Sequence, residues 1–281
     1  MLRTCIAIIA ISLVGCGGKS IAPVSSSTDH SSHDKTTEAS NKHAGHTGMA
    51  GMTDMAMSAS IKMDAGWDNL KPGVAETLTF HLERDGKSVK DFDLLHERVM
   101  HFIVVRDALD EFQHLHPKVA EDGMASVEIT FPTAGKYLIF LDCQPKGEAQ
   151  QTVRHEMLVE GNPPSAPELT IDVPGTITVG DCAAKVTLQR SDSEWKMTFA
   201  LSDLAGHPLK DLEPYLGAMG HLVVIKSETG EYVHAHAETQ SAPDGRVEFA
   251  THFTHPGNYK AWGQFQRKGK VFTIPAVLKV D

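Results

Sequence analysis

His101-Phe102-Ile103-Val104-Val105 and Phe112-Gln113-His114-Leu115-His116 return 120 residues later as His221-Leu222-Val223-Val224-Ile225 and Tyr232-Val233-His234-Ala235-His236. The same offset relates Gly86 to Gly206 and Lys90-Asp91 to Lys210-Asp211. Beyond them, Asp122-Gly123 matches Asp244-Gly245, Gly135-Lys136-Tyr137 matches Gly257-Asn258-Tyr259, and Gln144 matches Gln266. There the offset is 122, as a two-residue insertion produces. So many matches in one order mark an internal duplication.

Working outward from these segments, the first copy takes in residues 60–161 and the second residues 168–281. A Pro-rich joint, Asn162-Pro163-Pro164-Ser165-Ala166-Pro167, lies between them. Each copy has the commonest size for a domain, about 100 residues. Short alternating runs rich in β-branched and aromatic residues recur, such as Thr77-Leu78-Thr79-Phe80-His81-Leu82 and Tyr137-Leu138-Ile139-Phe140-Leu141. Turn signals at Asp85-Gly86, Asp122-Gly123, Ala134-Gly135 and Lys146-Gly147 interrupt them. The fold class expected is all-β: two tandem immunoglobulin-like β-sandwich domains of about seven strands each. A short helical turn is expected near residues 91–97 and again near 211–216.

Each copy carries His, twelve residues, His, one residue, His. Strand alternation puts His114 and His116 on one face, and His234 and His236 likewise. A hairpin centred on Ser227-Glu228-Thr229-Gly230 pairs His221 with His236 and Val223 with His234. Centred on Asp107-Ala108-Leu109-Asp110, the first copy pairs His101 with His116. Opposed residues project to the same face, so the three imidazoles of a copy should cluster; a one-residue slip would separate them. Three imidazoles on a rigid hairpin suit copper, with zinc as the other ion they accommodate. Candidates for a fourth ligand are Met100 and Met219, with His252 or His255 in the second copy. The other reading is that these histidines only pack and hydrogen-bond. His81, His96, His155 and His207 have no partners at ligand spacing and read as surface or core residues.

The N-terminus reads MLRTCIAIIAISLVGCGGKS: a basic residue, an apolar run too short to span a bilayer, then Leu-Val-Gly-Cys. Residues 1–15 resemble a bacterial lipoprotein signal peptide, and by that resemblance Cys16 carries acyl chains that tether the protein to a membrane. Gly17, rather than aspartate, points to the outer membrane facing the periplasm. Residues 16–59 have no hydrophobic period and read as a disordered tether. Within it and just beyond, His30, His33, His43, His46, Met49, Met52, Met55, Met57 and Met63 form a set that suits copper in either oxidation state. Such a tract is also what a plain spacer could accumulate.

The runs Met100-His101-Phe102-Ile103-Val104-Val105-Arg106-Asp107 with Phe112-Gln113-His114-Leu115-His116-Pro117, and Gly263-Gln264-Phe265-Gln266 with Lys268-Gly269, resemble a family of bacterial secreted and lipoprotein domains. Some of its members accompany copper or heavy-metal resistance. The resemblance covers both copies and implies the β-sandwich and the envelope location, without an established activity. The second copy departs from the pattern with Ala237 where Pro117 stands.

Beyond the signal, Cys16 is committed to lipid, which leaves Cys143 and Cys182. In an oxidising compartment a disulfide between them is the expectation, stapling the two copies. A net charge of −10 argues against nucleic acid as a partner. There is no G-x-S-x-G, phosphate loop or H-E-x-x-H, so the chain reads as non-enzymatic. Two functions fit. One is a copper-binding envelope lipoprotein, acting as buffer or chaperone with a metal-handling envelope partner. The other is an interaction lipoprotein whose tandem sandwiches bind an envelope protein.

Overall fold

The computed structural model describes residues 61–191 and 194–281. The expected signal, the Cys16 anchor, and the tether's histidines and methionines up to Met57 all lie outside the described residues. In the first copy the strands are β1 (Lys62–Asp64), β2 (Ala75–Arg84), β3 (Lys87–Val89), β4 (Met100–Arg106), β5 (Phe112–Leu115), β6 (Lys118–Val119), β7 (Ala125–Thr130), β8 (Gly135–Cys143) and β9 (Gln151–Val159). The second copy follows with β10 (Gly175–Val179), β11 (Cys182–Ser191), β12 (Glu194–Asp203), β13 (Leu212–Glu213), β14 (His221–Lys226), β15 (Tyr232–His236), β16 (Arg246–Thr251), β17 (Gly257–Arg267) and β18 (Lys270–Val280).

Each copy is a two-sheet sandwich, as the alternating runs require. In the first, the sheet β1-β2-β7-β6, with β3 on β2, faces the sheet β5-β4-β8-β9. In the second, β10-β11-β12-β16 faces β13-β17-β14-β15, with β18 on β17. The first core gathers Phe80, Met100, Phe102, Val104, Ile139 and Leu141 among others; the second gathers Phe199, Met219, Leu222, Val224, Phe249 and Phe265. Among the described residues there is no helix. The turn expected near 91–97 is closed instead by a bridge between Leu95 and Arg98, and its counterpart by Tyr215 and Ala218.

Two details explain why the repeat kept its turn and corner residues. The Tyr137 hydroxyl is shared between Glu111 Oε2 and Thr133 O, the latter at 2.9 Å, and Tyr259 donates to His255 O at 2.6 Å. This corner, a tyrosine tied to backbone just upstream, is an immunoglobulin-type hallmark. At Asp244-Gly245 the backbone turns left-handed, with φ of +73° at Gly245. A Cβ there would sit 2.3 Å from Leu201 O, so only glycine fits.

The sandwiches do not stand apart. On β4, Met100, Phe102 and Val104 face the first core, so alternation turns His101, Ile103 and Val105 outward. Yet all seven residues of β4 are buried. A third apolar cluster explains it, joining Ile103, Val105, Leu138 and Phe140 of the first copy to Val223, Ile225 and Trp262 of the second. Phe140 stacks on Tyr232 with ring centroids 4.3 Å apart, and Phe112 stacks on Trp262 at 5.0 Å. By the offsets of the repeat, Phe140 corresponds to Trp262 and Phe112 to Tyr232. The two outward faces thus pack on each other through equivalent residues, as in a two-fold contact.

The expected disulfide is absent. Cys143 and Cys182 are both buried free cysteines. Cys143 faces the first core and Cys182 the second, so their side chains are enclosed in different sandwiches. Burial pushes the Cys143 thiol up to about 12.

Candidate metal centre

The histidines lie on the outward faces where the two copies meet. In β14 and β15, His221 is opposite His236 and Val223 is opposite His234, the register expected from the turn. In β4 and β5, Ile103 is opposite His114 and Phe102 opposite Leu115, the same register, which sets His101 against His116. His101, His114 and His116 form one triad, and His221, His234 and His236 the other. Within each, one ring nitrogen per residue lies within 4.8 Å of the others.

Second partners decide which nitrogen points inward. His101 Nε2 donates to Leu95 O at 2.8 Å, and His221 Nε2 donates to Tyr215 O at 2.8 Å. A carbonyl only accepts, so in each neutral ring Nδ1 keeps its lone pair. His114 Nδ1 donates to Gln264 Oε1 at 2.6 Å, whose amide Nε2 is turned toward Thr273. His234 Nδ1 donates to Asp142 Oδ2 at 2.7 Å. Lone pairs are therefore left on Nε2 of both. Of these inward atoms, His221 Nδ1 and His234 Nε2, with His116 Nε2 and His236 Nε2, are buried without a hydrogen-bond partner. In the first triad, His101 Nδ1 and His114 Nε2 stand 2.9 Å apart, lone pair against lone pair.

These second partners are exchanged between the copies. Asp142 on β8 is paired with His101 in its own sheet but bonds His234 of the second copy. Gln264 on β17 is paired with His221 but bonds His114 of the first. Asp142 and Gln264 occupy equivalent places in the repeat. Asp142 also accepts from Thr152 at 2.6 Å and from Tyr232 at 2.7 Å, so three donors converge on a carboxyl that is fully buried.

Burial holds the rings neutral. It drives His114 down to about 2, His116 to about 3 and His221 to about 4, with neighbouring imidazoles adding to the effect at each. His101, His234 and His236 are lowered for the same first reason. Burial also raises Asp142, against the pull of Thr152 and Tyr232. Neutral imidazole is the form that binds a metal.

Three of the four candidates for a fourth ligand are engaged elsewhere. Met100 is fully buried in the first core and Met219 is buried in the second. Met100 neighbours His101 on one strand, so alternation sends it to the opposite face. His255 is exposed and engages Glu231 and Thr254. His96 is exposed, as a surface residue, and its ring stacks on that of His236 with centroids 3.4 Å apart. The second copy has Leu216 at the equivalent place. His96 sits at positive φ in a loop, a position that hydrophobic periodicity does not register.

No curated protein matches this sequence. Among solved structures, the tetra-tandem repeat in the extending region of a large adhesion protein is 12% identical, with a TM-score of 0.27. The match covers 79% of this chain and 49% of that one. FdeC, an adhesin of Escherichia coli, is 15% identical with a TM-score of 0.25, over 81% and 66% of the two chains. The D00-D0 domain of intimin is 10% identical with a TM-score of 0.23, over 79% and 100%. This chain spans less than two thirds of the length of the first two, and none of the three likenesses sets a function for it. A family does match twice, once on each sandwich, and its description assigns neither metal binding nor resistance. Over residues 56–161 and 179–281 the chain belongs to the family described as Domain of unknown function (DUF8832).

Proposed function

We propose that this chain is a non-enzymatic protein that binds transition-metal ions through its two histidine triads, serving as a buffer or carrier. One observation carries the reading: His101 Nδ1 and His114 Nε2 face each other at 2.9 Å, with both protons committed elsewhere. Two lone pairs at that distance repel unless a cation sits between them. Two nitrogens at about 2.0–2.1 Å from a tetrahedral ion stand about 3.3 Å apart, so a small opening admits the ion. Bonding of the far ring nitrogen to a carbonyl, amide or carboxylate is the usual way a metal-binding histidine is oriented.

With both thioethers in the cores, the folded sites are all-imidazole, a set that takes divalent copper or zinc. The methionines of the N-terminal arm offer softer ligands that would suit Cu(I). On this reading Cys16 tethers the protein by lipid to the bacterial envelope, probed by labelling with a radioactive fatty acid. Among the described residues no helix is long and apolar enough to cross a membrane.

The test is calorimetric titration of the full chain with Cu(II) and Zn(II), with metal content by elemental analysis. The expected result is the loss of one ion per chain on His114→Ala with His116→Ala, and of another on His234→Ala with His236→Ala. Equal stoichiometry in all forms would sink the site assignment. That outcome would favour the second reading, an interaction protein whose histidines only cement the two sandwiches. An apolar side chain left open on edge strand β9, Leu158 at 66% exposed, favours that reading.

A further inference from the structure

The two triads are not separate in space. His101 lies 5.4 Å from His234 and 6.2 Å from His221 between ring centroids, and His114 lies 5.6 Å and 6.0 Å from the same two rings. Within the triads the corresponding separations are 5.2 Å for His101 and His114 and 5.9 Å for His221 and His234. All six distances among these four rings therefore fall between 5.2 and 6.2 Å, a nearly regular tetrahedron shared equally by the two copies. His116 and His236 complete their own triads, each 4.7 to 5.1 Å from its two partners.

We propose that the six imidazoles form one dinuclear centre, in which two divalent ions share a small anion bridging their open positions. This rests on the reading that the triads take metal. An ion lies about 3 Å from the centroid of each imidazole it binds, given bonds of about 2.0–2.1 Å. Rings of opposite triads, at 5.4 to 6.2 Å, are scarcely farther apart than rings of one triad, at 4.7 to 5.9 Å, so ions held in the two triads would be neighbours within reach of one small anion. Three protein ligands leave a fourth position, and Met100 and Met219 cannot fill it from the cores. Charge calls for the same ligand. Two divalent ions bring four positive charges among neutral rings, while the carboxylate bonded to these rings is Asp142 alone. A small anion from solution, hydroxide or one of similar size, lowers that repulsion and occupies both open positions at once.

The experiment is made on the full chain loaded with Cu(II), comparing copper by elemental analysis with unpaired spins by electron paramagnetic resonance. An anion-bridged pair is magnetically coupled, so two coppers per chain should contribute no spin. Azide, the probe anion, should add a charge-transfer band in the near ultraviolet. In His116→Ala and in His236→Ala the silent pair should vanish, leaving one isolated copper with full spin, to which azide binds terminally. Neither substitution removes a hydrogen bond of His116 Nε2 or His236 Nε2, and His116→Gln and His236→Gln supply variants that keep the bulk. Copper on the N-terminal arm contributes equally to every form and cancels. Spins equal to copper in the native chain, with each variant losing one ion, would overturn the dinuclear centre and leave two independent sites. A silent pair that survives both substitutions would place it elsewhere and also overturn the proposal. Unchanged copper content in every variant would instead remove the metal reading itself.

Discussion

The two triads are built from the same three histidines on the same two strands, yet what holds them differs. In the first, Gln264 orients His114 with a neutral amide. In the second, Asp142 orients His234 with a carboxyl that also gathers Tyr232 and Thr152. Beside the first stands Phe112, and beside the second its equivalent Tyr232. His96 lies against His236, and nothing in the second copy returns the contact, since Leu216 takes its place. On the proposed metal reading, duplicated ligands with unduplicated supports should make the second triad the tighter of the two, because a carboxylate behind the imidazole raises its donor strength toward a metal.

Acid should break both triads at once and gives the largest effect expected. His114 and His221 are neutral in the fold down to about 2 and about 4, whereas an unfolded histidine takes up its proton near 6.5. Below that pH the unfolded state holds more protons, so stability is full above about 6.5 and is lost as pH falls. Each such ring removes about 1.4 kcal/mol per pH unit until its folded value is reached. Urea midpoints of the metal-free protein measured from pH 7.5 to 4.5 should fall steeply; a flat profile would contradict neutral burial. Next is Phe140→Ala, which empties the cluster between the sandwiches and removes the stack on Tyr232. About 3–5 kcal/mol of stability should go, read by urea unfolding, with metal binding weakened in both triads.

The comparison itself is sharpened by isosteric exchanges. Asp142→Asn should weaken the second site by about 10–100-fold in calorimetry and spare the first. Gln264→Glu should work in reverse, tightening the first. Equal responses of the two sites would erase the distinction drawn here. Tyr232→Phe, which copies the first triad's phenylalanine, should have the smallest effect, a few-fold loss at the second site alone.

Much of this was legible in the sequence for a local reason. The repeat, the sandwich class and the hairpin register follow from alternation and turn chemistry, which act over a few residues, and His221 does stand opposite His236. The packing of the outward faces lies beyond those local rules, although its signal is there: His101-Phe102-Ile103-Val104-Val105 has no polar alternation, the mark of a strand buried on both sides. Asp142 and Gln264 bond across the copies, and no local rule reaches 92 or 150 residues along the chain. Met100 adjoins His101 in sequence, yet strand alternation sends it into the first core. Counting cysteines pairs Cys143 with Cys182, but the two belong to different cores.

The exchange of Asp142 and Gln264 has an evolutionary consequence. In a homodimer, symmetry obliges both halves to present the same residue, and any change strikes both sites together. Here the equivalent of a two-fold interface is closed inside one polypeptide, and its halves are separately encoded. A single codon change behind one histidine can alter the support of one triad while its twin keeps its own. Duplication within one chain thus frees selection to change two neighbouring triads separately.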